Sequence, residues 1–123
     1  MKSALVVLSD PTNGEDALGR VFNALATAYD YQQAGDEVTI LFQGAGTRWI
    51  GQLSQSNHPV HELFDAVKDN IAGVSCGRAD VFGATEEVEK SGFDFLKDNA
   101  VPGIAGLPSL RTLTMDGYQV ATF

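Results

Sequence analysis

The sequence contains a single cysteine, Cys76, among its 123 residues. One cysteine cannot form a disulfide within the chain, and it excludes both a Cys-x-x-Cys redox pair and a four-thiol zinc site. The absence of disulfides is compatible with a reducing compartment. Disulfide chemistry would therefore need a second thiol from another subunit or from a partner protein.

Basic residues are also scarce, because eight Lys and Arg stand against sixteen Asp and Glu, for a net charge of −8. Nucleic acids and anionic membranes bind basic patches, so this balance argues against DNA binding and against a membrane surface as partner. No stretch approaches the roughly 20 apolar residues that span a bilayer. The apolar start Ala4–Leu8 is too short for a signal peptide. We expect a soluble cytoplasmic protein.

Nucleotide and hydrolase motifs are missing as well. The turn Asp10–Gly14 follows the first apolar run but matches neither phosphate-loop fingerprint, and Glu15 and Asp16 come directly after it. A turn with helix caps explains it better than a phosphate site. The chain has no Gly-x-Ser-x-Gly elbow, and a flavodoxin-like electron carrier would need a Ser/Thr-rich flavin-phosphate loop at this turn. We predict no cofactor.

What the sequence does contain is an alternation of apolar β-type runs and helical patterns. The first helix is the clearest, since five apolar residues repeat on one face between Glu15 and Ala34 and Gly35 provides its stop: Leu18, Val21, Phe22, Leu25 and Tyr29. Predicted strands are 4–8, 37–42, 70–75 and 118–123, with another near 93–96 or 101–104 and a loop over 102–108. Further predicted helices are 49–53, one opened by Pro59, 79–90 with Val81, Phe82 and Val88 inward, and 109–116. The pattern predicts a single α/β domain over residues 1–123. We expect a three-layer α/β/α sandwich around a mainly parallel sheet of about five strands, flavodoxin-like in appearance.

Cys76 lies between the third predicted strand and a helix, at the carboxyl end of the strand. Ligand sites of open α/β sheets form beyond such ends. The N–H groups of a following helix favour the thiolate, which is the nucleophile, and Arg78 would act in the same direction. A lone cysteine is also commonly a small buried hydrophobe. Cys76 is nevertheless the first candidate for a catalytic residue.

The loop after the second strand contains Gly46, Thr47 and Arg48. Small residues allow close approach to the backbone, Thr47 offers a hydroxyl, and Arg48 offers a forked cation for an anion. The alternative is a glycine-permitted turn with a solvated arginine. If the loop binds substrate, these three residues and Arg78 share a crevice with Cys76.

His58 and His61 invite a metal interpretation, but they are three residues apart with Pro59 between them. Helical ligands to one metal usually lie four apart. A helix cap and an exposed helical histidine account for the pair better. We predict no metal site.

Taken together, several segments resemble the DsrE/DsrF-like family of small α/β proteins over nearly the whole chain. They are the opening strand, 44–49, 58–64, Cys76 with 79–83, 108–110 and 117–120. The resemblance implies a three-layer α/β/α fold and a homo-oligomer, a trimer or a hexamer. It also implies sulfur carriage as a persulfide on Cys76, with a sulfur-donor and an acceptor protein as partners. Many relatives have a second cysteine near this point, where this chain has Arg78.

Two functional hypotheses follow. In the first, the protein is a sulfur-relay protein in which Cys76 accepts sulfane sulfur and passes it on; a relay needs only one thiol. In the second, it is a non-catalytic oligomeric protein that binds a small anion or nucleotide, and Cys76 is structural.

Overall fold

The computed structural model describes residues 1–81 and 83–123, without the side chains of Cys76, Arg78 and Asp80. The strands are β1 (Lys2–Val7), β2 (Glu37–Phe42), β3 (Ile71–Ser75), β4 (Phe95–Leu96), β5 (Asn99–Val101), β6 (Ile104–Leu107) and β7 (Gln119–Thr122). The helices are α1 (Gly14–Ala34), α2 (Trp49–Leu53), α3 (His61–Val67), α4 (Cys76–Val81), α5 (Thr85–Ser91) and α6 (Leu110–Met115), with short 3₁₀ turns at Gly44–Arg48 and Lys68–Asn70.

Within these residues, five strands form one parallel sheet in the order β4-β3-β2-β1-β7. β2 is the middle strand, and β1 lies between β2 and the edge strand β7, with its Val6 beside Leu41 of β2 and beside Thr122 of β7. β5 and β6 form a separate antiparallel hairpin. The predicted three-layer α/β/α sandwich with a parallel sheet of five strands is confirmed.

The larger core lies on the sheet face that α1, α2, α3 and α5 cover. Its largest fully buried side chains from the strands are Leu5, Val7, Ile40, Phe42 and Val74, and those from the helices include Val21, Leu25, Trp49, Ile50, Leu53, Val67 and Val88. Alternate strand residues point to opposite faces, so the apolar runs of β1 and β2 supply both layers. Continuous apolar runs of this kind are typical of parallel strands covered on both sides.

The second face carries a smaller core, in which Ala4, Val6 and Leu41 are buried under α6. Ser109 caps α6 by accepting a hydrogen bond from the Thr112 N–H at 3.1 Å. Because α6 has only six residues, this face is covered less completely than the first.

Three of the predicted elements differ from the structure. The predicted loop 102–108 contains β6, which pairs with β5 around the turn Pro102–Gly103, while the fourth sheet strand is β4. The predicted helix 79–90 is two helices, α4 and α5, with Gly83 at a φ of 70° between them. The predicted helix that Pro59 opens begins at His61, because Pro59 lies in a turn.

Some predicted core residues are exposed. Phe22 and Tyr29 of α1 are 49% and 42% exposed, because Ala17, Ala24 and Ala28 take the positions against the sheet. Val81 is 60% exposed, whereas Val88 is buried as predicted. Phe82, which was also expected to point inward, lies outside the described residues.

Candidate functional site

Three loops meet at the carboxyl edge of the sheet, because β3, β2 and β1 are neighbours and run parallel. They are the segment 8–13 after β1, the 3₁₀ turn Gly44–Arg48 after β2, and the start of α4 after β3. Parallel strands bring their carboxyl ends to the same edge, where ligand sites of this fold class form. The three backbone segments therefore lie at one edge, and a crevice shared by Cys76, Thr47 and Arg48 stays a prediction.

Cys76 is the first residue of α4 and follows the last residue of β3 directly. The helix begins three residues earlier than predicted, so the cysteine lies within its first turn instead of ahead of it. The side chains of Cys76 and Arg78, the predicted nucleophile and its cation, lie outside the described residues. Their roles remain predictions.

The β5–β6 hairpin packs closely on the first turn of α4. Gly77 is buried, and a Cβ added to it would collide with the Ala105 carbonyl oxygen and lie 2.5 Å from Ile104 Cγ2. Only glycine fits this contact, because any side chain would displace the β6 backbone. The hairpin therefore forms one wall beside the backbone of Cys76.

The 3₁₀ turn Gly44–Arg48 also packs against α4. Within it, Gly46 is buried against the end of β1, since a Cβ there would collide with the Val7 carbonyl. Thr47 is fully buried and its Oγ1 donates to the Gly44 carbonyl at 2.9 Å. Gly46 and Thr47 thus shape the turn internally, and their contact with a substrate stays a prediction.

Arg48 links this turn to the loop after β1. Its guanidinium lies 3.2 Å from the carboxylate of Asp10, and both side chains are partly exposed. The pKa of Asp10 is lowered, mainly by hydrogen bonding to Thr12, whose N–H donates at 2.9 Å, and further by the charge of Arg48, against an opposing effect of burial. Asp10 is therefore an anion beside Arg48 at neutral pH. Arg48 is the predicted binding residue whose cationic group is seen at this edge.

Trp49, directly after the turn Gly44–Arg48, also joins this turn to the loop after β1. Its indole is 1% exposed, and Nε1 donates to the Ser9 carbonyl at 2.9 Å. The His58 ring meets the indole edge-on, with centroids 6.3 Å apart. His58 Nδ1 accepts the Val60 N–H at 3.1 Å, and burial, followed by the charge of His61, lowers the pKa of His58.

The geometry of the two histidines fits local structural roles. His61 Nδ1 lies 2.7 Å from the Leu53 carbonyl and donates to it, so each ring is fixed by its own part of the chain. Among the described residues, no three His, Cys, Asp or Glu side chains lie together as a metal site would require.

Gln43 is a polar group at this edge that the sequence analysis did not single out. Its N–H donates to the Val7 carbonyl at 2.9 Å, while its buried side-chain Oε1 has no hydrogen-bond partner among the described residues. Since Phe42 lies beside Val74 in the parallel register, Gln43 comes next to the buried Ser75. The sequence does carry a signal for this residue, because Gln43 is a polar residue directly after an apolar strand.

A concavity of about 380 Å³ lies at the same edge, between β1, β7 and the start of α1. Its walls are Leu8, Ser9, Asp10, Asn13, Asp16, Ala17, Arg20, Thr122 and Phe123. Asp16 and Arg20 form an exposed ion pair at 2.9 Å across one turn of α1. We call this concavity the β1–β7 cleft. Asp10 lines it and also binds Arg48, so the Asp10–Arg48 ion pair lies between the cleft and the turn Gly44–Arg48.

The chain resembles known proteins in sequence. Over 89 residues the chain is 29% identical to the uncharacterized protein MJ0733 of Methanocaldococcus jannaschii. The matched segment covers 72% of this chain and 73% of that protein. No solved structure matches the chain. None of the helices in the described residues is long and apolar enough to cross a bilayer. The sequence model of the DsrE/DsrF-like family matches residues 1–123 in full, and the chain belongs to this family.

Proposed function

We propose that this protein is a sulfur carrier of the relay type, in which Cys76 receives sulfane sulfur from a donor protein and hands it to an acceptor. The observation that carries the proposal is the position of the only cysteine: it begins α4 directly after β3, at the carboxyl edge of the parallel sheet. Membership of the DsrE/DsrF-like family supports the same chemistry.

The proposed reaction is a pair of sulfur transfers without net redox change. The Cys76 thiolate attacks the outer sulfur of the donor's persulfide, a new S–S bond forms, and the donor leaves as a thiolate. The acceptor nucleophile then attacks the outer sulfur on Cys76, and the Cys76 thiolate is the leaving group. One thiol suffices for both steps, in keeping with the single cysteine.

The neighbouring residues would support these steps in two ways, one steric and one electrostatic. Gly77 lets β6 pack onto the first turn of α4, which limits the directions from which a partner reaches the cysteine. Arg48 lies on the neighbouring loop, where it pairs with Asp10, and its guanidinium would add a second interaction with an anionic persulfide, with Arg78 as the other predicted cation. In a relay of this kind the sulfur donor and the acceptor would both be proteins.

The test is the intact mass of the protein after incubation with a persulfide donor, with Cys76→Ser as matched control. We expect a gain of one sulfur atom that is lost on reduction and absent from the variant. Alkylation of the folded protein should also proceed at a rate comparable with a free thiol. No sulfur gain with an active donor, or no alkylation until the protein is unfolded, would refute the relay.

The second candidate is a non-catalytic protein that binds a small ligand, and the observation that favours it is the β1–β7 cleft. The cleft combines hydroxyls, carboxylates and Arg20 with apolar side chains that include Leu8 and Phe123. Small-molecule sites pair apolar lining with a few placed polar groups, and this cleft contains both. A ligand whose affinity is the same for Cys76→Ser and the natural protein, together with no sulfur loading, would establish this function instead.

A further inference from the structure

We propose that β7 pairs with β7 of a second copy of this chain, antiparallel across a two-fold axis, so that two five-stranded sheets join into one. The starting observation is that β7 is an edge strand. It pairs with β1 on one side, no other strand of the described residues lies on its other side, and all four of its residues are exposed.

The backbone groups on the free side can be identified. Phe123 N–H donates to the Val6 carbonyl at 2.8 Å, and the Phe123 carbonyl accepts from Leu8 N–H at 2.7 Å. Alternate residues of a strand turn their N–H and C=O groups to the same neighbour, so Ala121 also faces β1. Val120 and Thr122 therefore present their N–H and C=O groups to the open side.

The two edges of the sheet differ in how they are protected. Proteins guard free edges with very short strands, charges, proline or bulges. The opposite edge, β4, has only two residues, and Asp94 and Lys97 flank them. The segment 117–123 contains no charged residue and no proline, and its register with β1 is regular. β7 is thus the edge on which another strand can add.

A second copy is the partner that this strand fits. In a two-fold pairing this segment lies against the same segment of the other copy, so a charged residue in it would lie close to an identical charge. β7 lacks charge in a chain whose net charge is −8, which removes that repulsion where the copies meet. Val120 and Thr122 lie on one face of the strand, and β-branched cross-strand pairs stabilise antiparallel sheets. Val120 is also one of the exposed large apolar residues, at 37%.

The pairing has two consequences. It requires an even number of chains, so of a trimer and a hexamer it admits only the hexamer, alongside a simple dimer. Thr122 lies on the free edge and also lines the β1–β7 cleft, so the strand of the second copy borders that cleft. The inference does not rest on sulfur transfer.

The test is the mass of the protein in solution by sedimentation, for the natural sequence and for three variants. Val120→Pro removes the outward N–H without removing a bond to β1, and proline is tolerated at a free edge. Val120→Glu leaves the backbone intact and places like charges across the axis. Val120→Thr keeps both the N–H and the branched side chain and is the matched control.

We expect an even-numbered assembly for the natural protein and for Val120→Thr. The assemblies of Val120→Pro and Val120→Glu should dissociate at protein concentrations at least tenfold higher than the natural assembly does. Their circular dichroism should be unchanged. If the proline variant fails to fold, Val120→Glu decides. Slow amide exchange at Val120 and Thr122 in the assembly, and fast exchange in Val120→Glu, identifies the strand directly. A monomer, a trimer, or an even assembly that neither substitution weakens would overturn the proposal.

Discussion

Gly46→Ala tests whether the turn Gly44–Arg48 is held against β1 as tightly as the structure shows. A Cβ at this position would lie 2.8 Å from the Val7 carbonyl carbon and 3.3 Å from Leu8 Cα. These are main-chain atoms at the end of a central strand, and they cannot rotate away as a flexible side chain could. The turn must shift, which weakens the hydrogen bond from Gln43 N–H to the Val7 carbonyl.

The magnitude follows from these two effects. Forcing a methyl group into a packed site costs about 1–3 kcal/mol, and weakening one hydrogen bond about 1 kcal/mol. We therefore expect the free energy of unfolding to fall by about 2–4 kcal/mol. Gly19→Ala is the matched control, because Gly19 lies inside α1 with no atom within 4 Å of the added methyl. Alanine there should stabilise the protein by about 1 kcal/mol.

The assay is urea unfolding followed by far-ultraviolet circular dichroism. All proteins are compared at one fixed concentration, since association would make stability depend on concentration. The two alanine substitutions should move the midpoint in opposite directions, and Gly46→Ala should leave the denaturant slope unchanged. If Gly46→Ala is as stable as the natural protein, or Gly19→Ala is less stable, the steric reasoning is wrong.

Three further substitutions test the contacts around the candidate site. Asp10→Asn removes a carboxyl whose pKa is lowered in the folded state; such a group stabilises above its unfolded pKa of about 3.9, and the benefit is lost as pH falls. The variant should lose less stability than the natural protein between pH 6 and pH 2, measured by urea unfolding, and an identical profile would contradict this. His58→Asn keeps an acceptor for the Val60 N–H but removes a group that protonates more readily when unfolded; it should flatten the decline in stability below about pH 6.5. A decline as steep as that of the natural protein would show that another group is responsible. Trp49→Phe deprives the Ser9 carbonyl of its indole donor and should lower the free energy of unfolding by about 1–3 kcal/mol. Thermal unfolding followed by circular dichroism measures this, and an unchanged melting curve would refute that bond.

The parallel sheet and its order of elements follow from local patterns that the sequence carries openly. α1 has acidic residues in its first turn and ends at Gly35, whose φ of 81° places it in the left-handed region that glycine favours. The faces of α1 were less predictable. Because alanine contributes little to a hydrophobic pattern, Phe22 and Tyr29 dominate it, although it is Ala17, Ala24 and Ala28 that let the helix approach the sheet.

The C-terminal third could not be derived in the same way. The uncharged stretch that holds β5 and β6 has no helical or strand period, and its hairpin is placed by the contact of Ala105 with Gly77. That contact depends on tertiary structure. For the same reason the sequence could not show that the Thr47 hydroxyl points into its own turn. The Asp10–Arg48 pair was within reach, because adjacent parallel strands bring the loops that follow them together.

The order of the strands also bears on how the chain folds. β1 is made before its second neighbour, β7, whose Gln119 pairs with Ser3 from far along the chain. During synthesis β1 and β2 can close around α1 early, while the other side of β1 has no strand to pair with. Long-range parallel pairing of this kind is slow to form and leaves backbone exposed in the meantime. Docking of β7 is therefore expected to be a late step in folding, and truncation before residue 119 would leave β1 as an unpaired apolar edge prone to aggregation.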